Sequence, residues 1–197
     1  MRFKLGLTGS IGMGKSTTAQ MFVEEGCVLW DADAAVHRLY GVGGAALRPM
    51  SEEFPDVIDN GRVSRDRLRQ IIAADKTALP RIEAIVHPLV QQDRQDFITA
   101  NPESIGVFDI PLLFETGGDV AMDATACVQV SRETQKQRVL ARGTMSEEDL
   151  ARILARQMPN EEKCLRATYV IETDTLEHAR AQVHTVMQDI RERLQNA

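Results

Sequence analysis

GLTGSIGMGKST, residues Gly6 to Thr17, is the stretch that decides the fold. Gly9, Gly14, Lys15 and Ser16 stand in the GxxxxGKS spacing of a phosphate-binding loop. An apolar run (Phe3, Leu5, Leu7) precedes it and a helical pattern (Ala19, Met21, Phe22, Val23) follows, so the loop falls between a strand and a helix. Glycines at positions 9, 12 and 14 admit positive φ, which turns successive N–H groups inward around phosphate oxygens. Lys15 adds a mobile positive charge for the terminal phosphates, Ser16 a hydroxyl for Mg²⁺, and the opening helix its positive dipole end. These residues predict a nucleoside-triphosphate user.

The rest of the chain extends that reading. Strands are expected at 3–8, 27–31, 105–110, 124–130 and 169–171 with helices between them, which predicts an α/β fold with a five-stranded parallel sheet. Residues 33–101 show helical periodicity, turn punctuation at Pro49, Pro55 and Asn60-Gly61, and no convincing strand, so they read as a helical insertion. Residues 146–163 read as one polar helical segment opened by a Ser146 and Asp149 capping box, with Arg152 and Arg156 one turn apart, and suggest a lid. The expected division is a core of 1–32, 102–142 and 168–197, an insertion of 33–101 and a lid of 143–167.

Composition narrows the class. The 197 residues are 43% apolar and 26% charged, ordinary for a globular chain. A net charge of −6 argues against nonspecific nucleic-acid binding. No apolar run approaches the roughly 18 residues of a membrane span, and the strand at residues 3–8 leaves no room for a signal peptide. Cys27, Cys127 and Cys164 form no CxxC pair and read as buried, reduced thiols, which predicts a cytoplasmic location.

Three clusters suggest chemistry. Asp31 and Asp33 follow the second strand, at the carboxyl edge where ligands of such sheets bind. Asp33 is the candidate for accepting a hydroxyl proton, while Asp31 could assist a metal or simply cap the next helix. His37, one turn on from Asp33, could contact substrate or be structural. Asp109 ends an apolar strand and could reach Mg²⁺ through water. Beyond it, Pro111 stops the ladder, and Leu112, Leu113 and Phe114 either wall a substrate pocket or belong to the core. Among the arginines, Arg142 and then Arg138 are the candidates for neutralising a triphosphate. Arg62, Arg65, Arg67 and Arg69 could serve an acceptor's pyrophosphate or form a solvated face.

Together with the phosphate loop, Asp31-Ala-Asp33 with His37, His87-Pro-Leu-Val90, Pro111-Leu-Leu-Phe-Glu115 and Arg152-Ile-Leu-Ala-Arg-Gln157 resemble the dephospho-CoA kinase family along nearly the whole chain. The resemblance implies a P-loop NTPase core, a helical substrate-binding insertion, a lid, and ATP-dependent phosphorylation of the 3′-hydroxyl of dephospho-CoA. It implies that Gly12, Met13, Gly14, Lys15, Ser16 and Thr17 hold ATP phosphates, that Asp33 is the base, and that the segment ending in Glu115 lies beside the acceptor. It also favours His87 as a substrate contact, where the alternative is that His87-Pro88 starts a helix. ATP and dephospho-CoA are then the partners, Mg²⁺ the metal, with a monomer or weak oligomer expected. Gly143 and the run Thr168 to Thr173 depart from the family's usual residues. A nucleoside or nucleotide kinase, or an ATPase without an acceptor, would share the loop.

Overall fold

The computed structural model describes residues 1–196. In chain order its elements are β1 (Phe3–Thr8), α1 (Lys15–Glu24), β2 (Val28–Asp31), α2 (Ala32–Tyr40), α3 (Leu47–Glu53), β3 (Ile58–Asp59), β4 (Arg62–Val63), α4 (Arg65–Ala74) and α5 (Ala78–Ala100). They continue with β5 (Ile105–Asp109), β6 (Ala124–Gln129), α6 (Arg132–Ala141), α7 (Glu147–Leu154), α8 (Asn160–Arg166), β7 (Tyr169–Glu172) and α9 (Leu176–Gln195). The chain divides into two compact units, one of Met1–Trp30 with the chain from Asn101 onward, the other of Asp31–Ala100.

The first unit is built on a five-stranded parallel sheet of order β2-β5-β1-β6-β7. Five of the six residues of β1 are buried, because helices cover both faces of a parallel sheet and leave little room for polar alternation. β1 is central, pairing Leu5 with Val107 of β5 and Leu7 with Ala126 of β6. The chain proceeds from β1 to one side and later returns to the other, and ligands of open α/β sheets bind outside the carboxyl ends at such a switch. Helix α9 buries Ala179, Val183, Val186, Met187 and Ile190, a stripe at helical spacing, into the same cluster as Phe22 of α1.

The second unit has its own core of Leu39, Met50, Phe54, Val57, Val63, Leu68, Ile82 and Val86. Contrary to the expectation of no strand there, it contains a hairpin in which Ile58 pairs with Val63 and Asp59 with Arg62. Asn60 (φ 47°) and Gly61 (φ 72°) make the two-residue turn, the left-handed pair that matches strand twist. Arg67 braces it, donating to the carbonyls of Asp56 (3.0 Å) and Ile58 (2.6 Å) and to Asp59 (3.0 Å). Pro88 lies inside α5 rather than at its start. The helix continues past it because Ile82 and Val86 are buried in the core, with Leu89 and Val90 packed against it, which offsets the missing N–H.

The polar segment expected as one helix is two. The capping box is present, Ser146 Oγ accepting from Asp149 N (3.1 Å) and Asp149 accepting from Ser146 N (3.1 Å), but α7 ends at Leu154. Pro159 separates it from α8, since proline disfavours helical backbone at the residue before it. Arg156 therefore lies beyond α7 and shares no helix with Arg152, whose guanidinium is paired with Asp149.

Candidate functional site

The loop between β1 and α1 is folded tightly against its neighbours. Gly9 (φ 151°) lies so close to β6 that a Cβ would fall 2.4 Å from Val128 Cγ2. Gly14 (φ 89°), left-handed at the start of α1, is backed by Thr173, and a Cβ there would stand 3.0 Å from its hydroxyl. Only glycine meets both demands at little cost.

Polar side chains from later in the chain hold this backbone. Thr173 Oγ1 donates to Met13 O (2.8 Å), and Gln135 Nε2 donates to Ile11 O (2.8 Å). Asn160 Oδ1 accepts from Ser10 N (2.8 Å) while its Nδ2 donates to Val128 O (3.1 Å), tying the start of α8 to both the loop and β6. The anchors from Thr173 and Asn160 satisfy groups that would otherwise be buried unpaired, at a cost of about 1–3 kcal/mol each. Sequence reasoning missed Gln135, Asn160 and Lys163 as parts of this architecture, and met Thr173 only as a departure from the family's residues.

Charge is concentrated at the loop's end. Lys15 pairs with Asp109, the last residue of β5, whose side chain is 3% exposed. The exposed guanidinium of Arg142 and the half-buried Arg138 line a cavity of about 400 Å³ together with Gly12, Gly14, Thr17, Thr173 and Thr175. Arg138 donates to Thr173 Oγ1 (3.1 Å) and O (2.6 Å), so Thr173 links the loop to the arginine. The structure thus gathers Gly12, Gly14, Thr17, Arg138 and Arg142 around one space, while Lys15 and Ser16 open α1 and Lys15 pairs with Asp109.

The segment after β5 splits by role. Leu113 is fully buried and packs against Gly6, where a Cβ would come within 2.8 Å of it, so it offers no surface to a ligand. Phe114 is buried as well, whereas Leu112 is 40% exposed. Glu115 is engaged twice, by Lys163 Nζ (2.8 Å) and by Met158 N (3.1 Å). Lys163, wholly buried, also donates to Pro111 O (2.8 Å), which a second donor, the Thr8 hydroxyl, reaches at 3.1 Å.

In the second unit Asp31 accepts from Ala34 N (2.7 Å) and caps α2. Capping is thus its observed work, while Asp33, in the helix's first turn, is exposed. His37, Arg62 and Arg65 line a second cavity, about 450 Å³, with Arg38 and Tyr40. Arg67 and Arg69 do not join it, being taken by the hairpin and by Asp66. His87 is exposed on α5.

A glycine-rich loop at a sheet's switch point, a lysine at the helix start, an acid at the neighbouring strand's end and arginines beside them define a P-loop nucleotide-binding phosphotransferase. The comparisons with known proteins narrow this. Residues 3–178 match the family model described as dephospho-CoA kinase. A dephospho-CoA kinase of Ruegeria pomeroyi is 65% identical over 191 residues, 97% of each chain, and one of Cereibacter sphaeroides is 54% identical over 96% of each. A crystal structure of TT1252 from Thermus thermophilus is 30% identical and superposes with a TM-score of 0.85 over 95% of this chain and 96% of its own. The chain belongs to the dephospho-CoA kinase family. A shikimate kinase of Acinetobacter baumannii, 14% identical with a TM-score of 0.52, over 97% of this chain and 94% of its own, shares the fold alone.

Proposed function

We propose that the chain transfers the γ-phosphoryl group of ATP to the 3′-hydroxyl of dephospho-CoA, giving CoA and ADP, with Asp33 as the general base. Family membership supports the acceptor, and the observation that carries the donor half is the cavity shared by Gly12, Gly14, Arg138 and Arg142. Phosphoryl transfer asks a protein mainly for positioning and charge neutralisation. Loop N–H groups and Lys15 would hold the phosphates, the lysine exchanging Asp109 for a phosphate oxygen, while Arg142, supported by Arg138, neutralises charge on the group in transit. Asp33 would accept the hydroxyl proton as the oxygen attacks. Among the described residues no group of three or more acidic, histidine or cysteine side chains could hold a metal. Mg²⁺ at a phosphoryl-transfer site keeps waters and phosphate oxygens as most of its ligands. The Ser16 hydroxyl and, through water, the Asp109 carboxylate would hold it, and when bound it supplies neutralisation of phosphate charge.

On the acceptor side, we assign contacts to Asp33, His37, His87, Pro111 and Leu112, with Leu113 and Glu115 supporting the segment from behind. Residues 33–101 would act as the substrate domain, and residues 143–167 as the lid. Unpaired thiols accord with a cytoplasmic location, to which we assign the chain. Purified protein with ATP, Mg²⁺ and dephospho-CoA should release ADP and CoA, and should phosphorylate adenosine, pantetheine and nucleoside monophosphates far more slowly. ADP release no faster than in the absence of acceptor would overturn the proposal.

A further inference from the structure

Of the three cysteines, two meet. Cys127, in the middle of β6, is fully buried, and Cys164, on α8, is half-buried, correcting the expectation that all three thiols are enclosed. Their sulfurs lie 3.1 Å apart. A disulfide requires about 2.05 Å, so a shift of roughly 1 Å would join them.

The surroundings make this pair more than a contact. Asn160, one turn before Cys164 on α8, places Nδ2 3.6 Å from the Cys164 sulfur and Oδ1 4.0 Å from that of Cys127. The same Oδ1 accepts from Ser10 N of the phosphate loop. The two thiols therefore pack around the side chain that anchors the loop. Cys27 is the contrast: it is buried beside Met187 Sδ (3.5 Å), and burial pushes its thiol up to about 12.

We infer that Cys127 and Cys164 form a redox-sensitive dithiol, which a hydroperoxide converts into an intramolecular disulfide that fastens α8 to β6 behind the phosphate loop. The half-buried Cys164 is the attacking sulfur. Its thiol is held below the ordinary value, chiefly by the hydrogen bond with Cys127, whereas Cys127 is pushed up by that bond and by burial and keeps its proton. Attack by the Cys164 thiolate breaks the O–O bond of hydrogen peroxide and releases hydroxide, leaving a sulfenic acid. The Cys127 sulfur then attacks the Cys164 sulfur, the S–S bond forms, the S–O bond breaks, and the departing hydroxide takes the thiol proton as water. Two thiols lose two electrons and one peroxide becomes two waters. A thiol reductant reverses the change.

The covalent claim is read by mass, independently of the acceptor assigned above. The full chain is treated with hydrogen peroxide, its remaining thiols are alkylated, and it is digested without reduction. A peptide pair joined through Cys127 and Cys164, with Cys27 recovered as a thiol, is expected. ATP turnover should fall about tenfold or more, since displacements near 1 Å at a phosphate site carry losses of that order, and dithiothreitol should restore it. Cys164→Ser should keep its turnover under peroxide, as should Cys127→Ala if the serine variant folds poorly. A sulfenic or sulfinic acid at Cys164 without the crosslink would overturn the inference. So would a crosslink that leaves turnover unchanged, or an equal loss of turnover in the variants.

Discussion

Around the phosphate loop several functional and supporting side chains already hold another group: Lys15 is on Asp109, Arg138 on Thr173, Asn160 on Ser10 N, and Lys163 on Pro111 O and Glu115. At the start of α2 the division of labour differs. Asp31 spends its carboxylate on the helix cap, and Asp33, beside it in sequence, is exposed and takes no part in that cap. The first arrangement fixes geometry at the price of entangling function with stability. The second leaves the carboxylate proposed as the base outside the cap, so that losing it should be felt in the chemistry and hardly in the fold.

Lys15→Ala tests the entangled side and should have the largest effect. The substitution removes charge stabilisation worth about 10²–10³ in kcat, and it leaves the buried Asp109 carboxylate without its cation, at a cost of about 3 kcal/mol. Turnover and urea midpoint should therefore fall together, and a variant with wild-type turnover would remove Lys15 from catalysis. Asp33→Asn tests the other side. Turnover should fall by about 10² or more with ATP affinity intact, while stability changes by no more than about 1 kcal/mol, the worth of one charge in an exposed first helical turn. Weakened ATP binding at unchanged kcat, or a large drop in midpoint, would make Asp33 structural.

What the sequence made legible follows the same division between local and distant causes. The β1, loop and α1 unit could be read because its strand, glycines and helix are adjacent, and its periodicity is carried by successive residues. The Ser146 capping box could be read for the same reason. The hairpin at Ile58 to Val63 could not, since two-residue strands are too short to show alternation, even though Asn60-Gly61 marks the turn. The break at Pro159 was masked by helix-forming residues on either side. Lys163 lies 52 residues from Pro111, and Asn160 is 150 from Ser10, so nothing local announces that a lysine in a polar helix is wholly buried or that an asparagine anchors the loop. Asp33 and Arg142 stood out through residue type and placement along the chain.

Thr173→Val should give a smaller effect than either. The hydroxyl donates to Met13 O and accepts from Arg138, so its loss leaves one loop carbonyl short of a donor and loosens the arginine. A destabilisation of about 1–2 kcal/mol is expected, with KM for ATP raised roughly threefold to tenfold and kcat changed less. Unchanged KM together with unchanged stability would mean that the Met13 carbonyl finds another donor and that Thr173 is no bridge.

The smallest effect is expected at the opposite end of α1 from the loop, where Glu25, its C-cap, accepts from His184 Nδ1 (2.9 Å) and from Arg191 (3.2 Å) of α9. The hydrogen bond with His184 comes first in holding its carboxyl below the ordinary value of 4.5, with partial burial opposing it and Arg191 assisting. Because the folded value is the lower one, this stabilisation is present above the unfolded value near 4.5 and is lost as pH falls through the folded value. Glu25→Gln should thus lower the urea midpoint slightly at pH 7, and the gap to the unsubstituted chain should narrow as pH falls below 4.5, with turnover unchanged at neutral pH. A gap that stays constant with pH would assign the loss to packing rather than charge. A fall in turnover would mean that the packing of α1 on α9 reaches the phosphate loop, so that the entangled region extends to the far end of the helix that Lys15 begins.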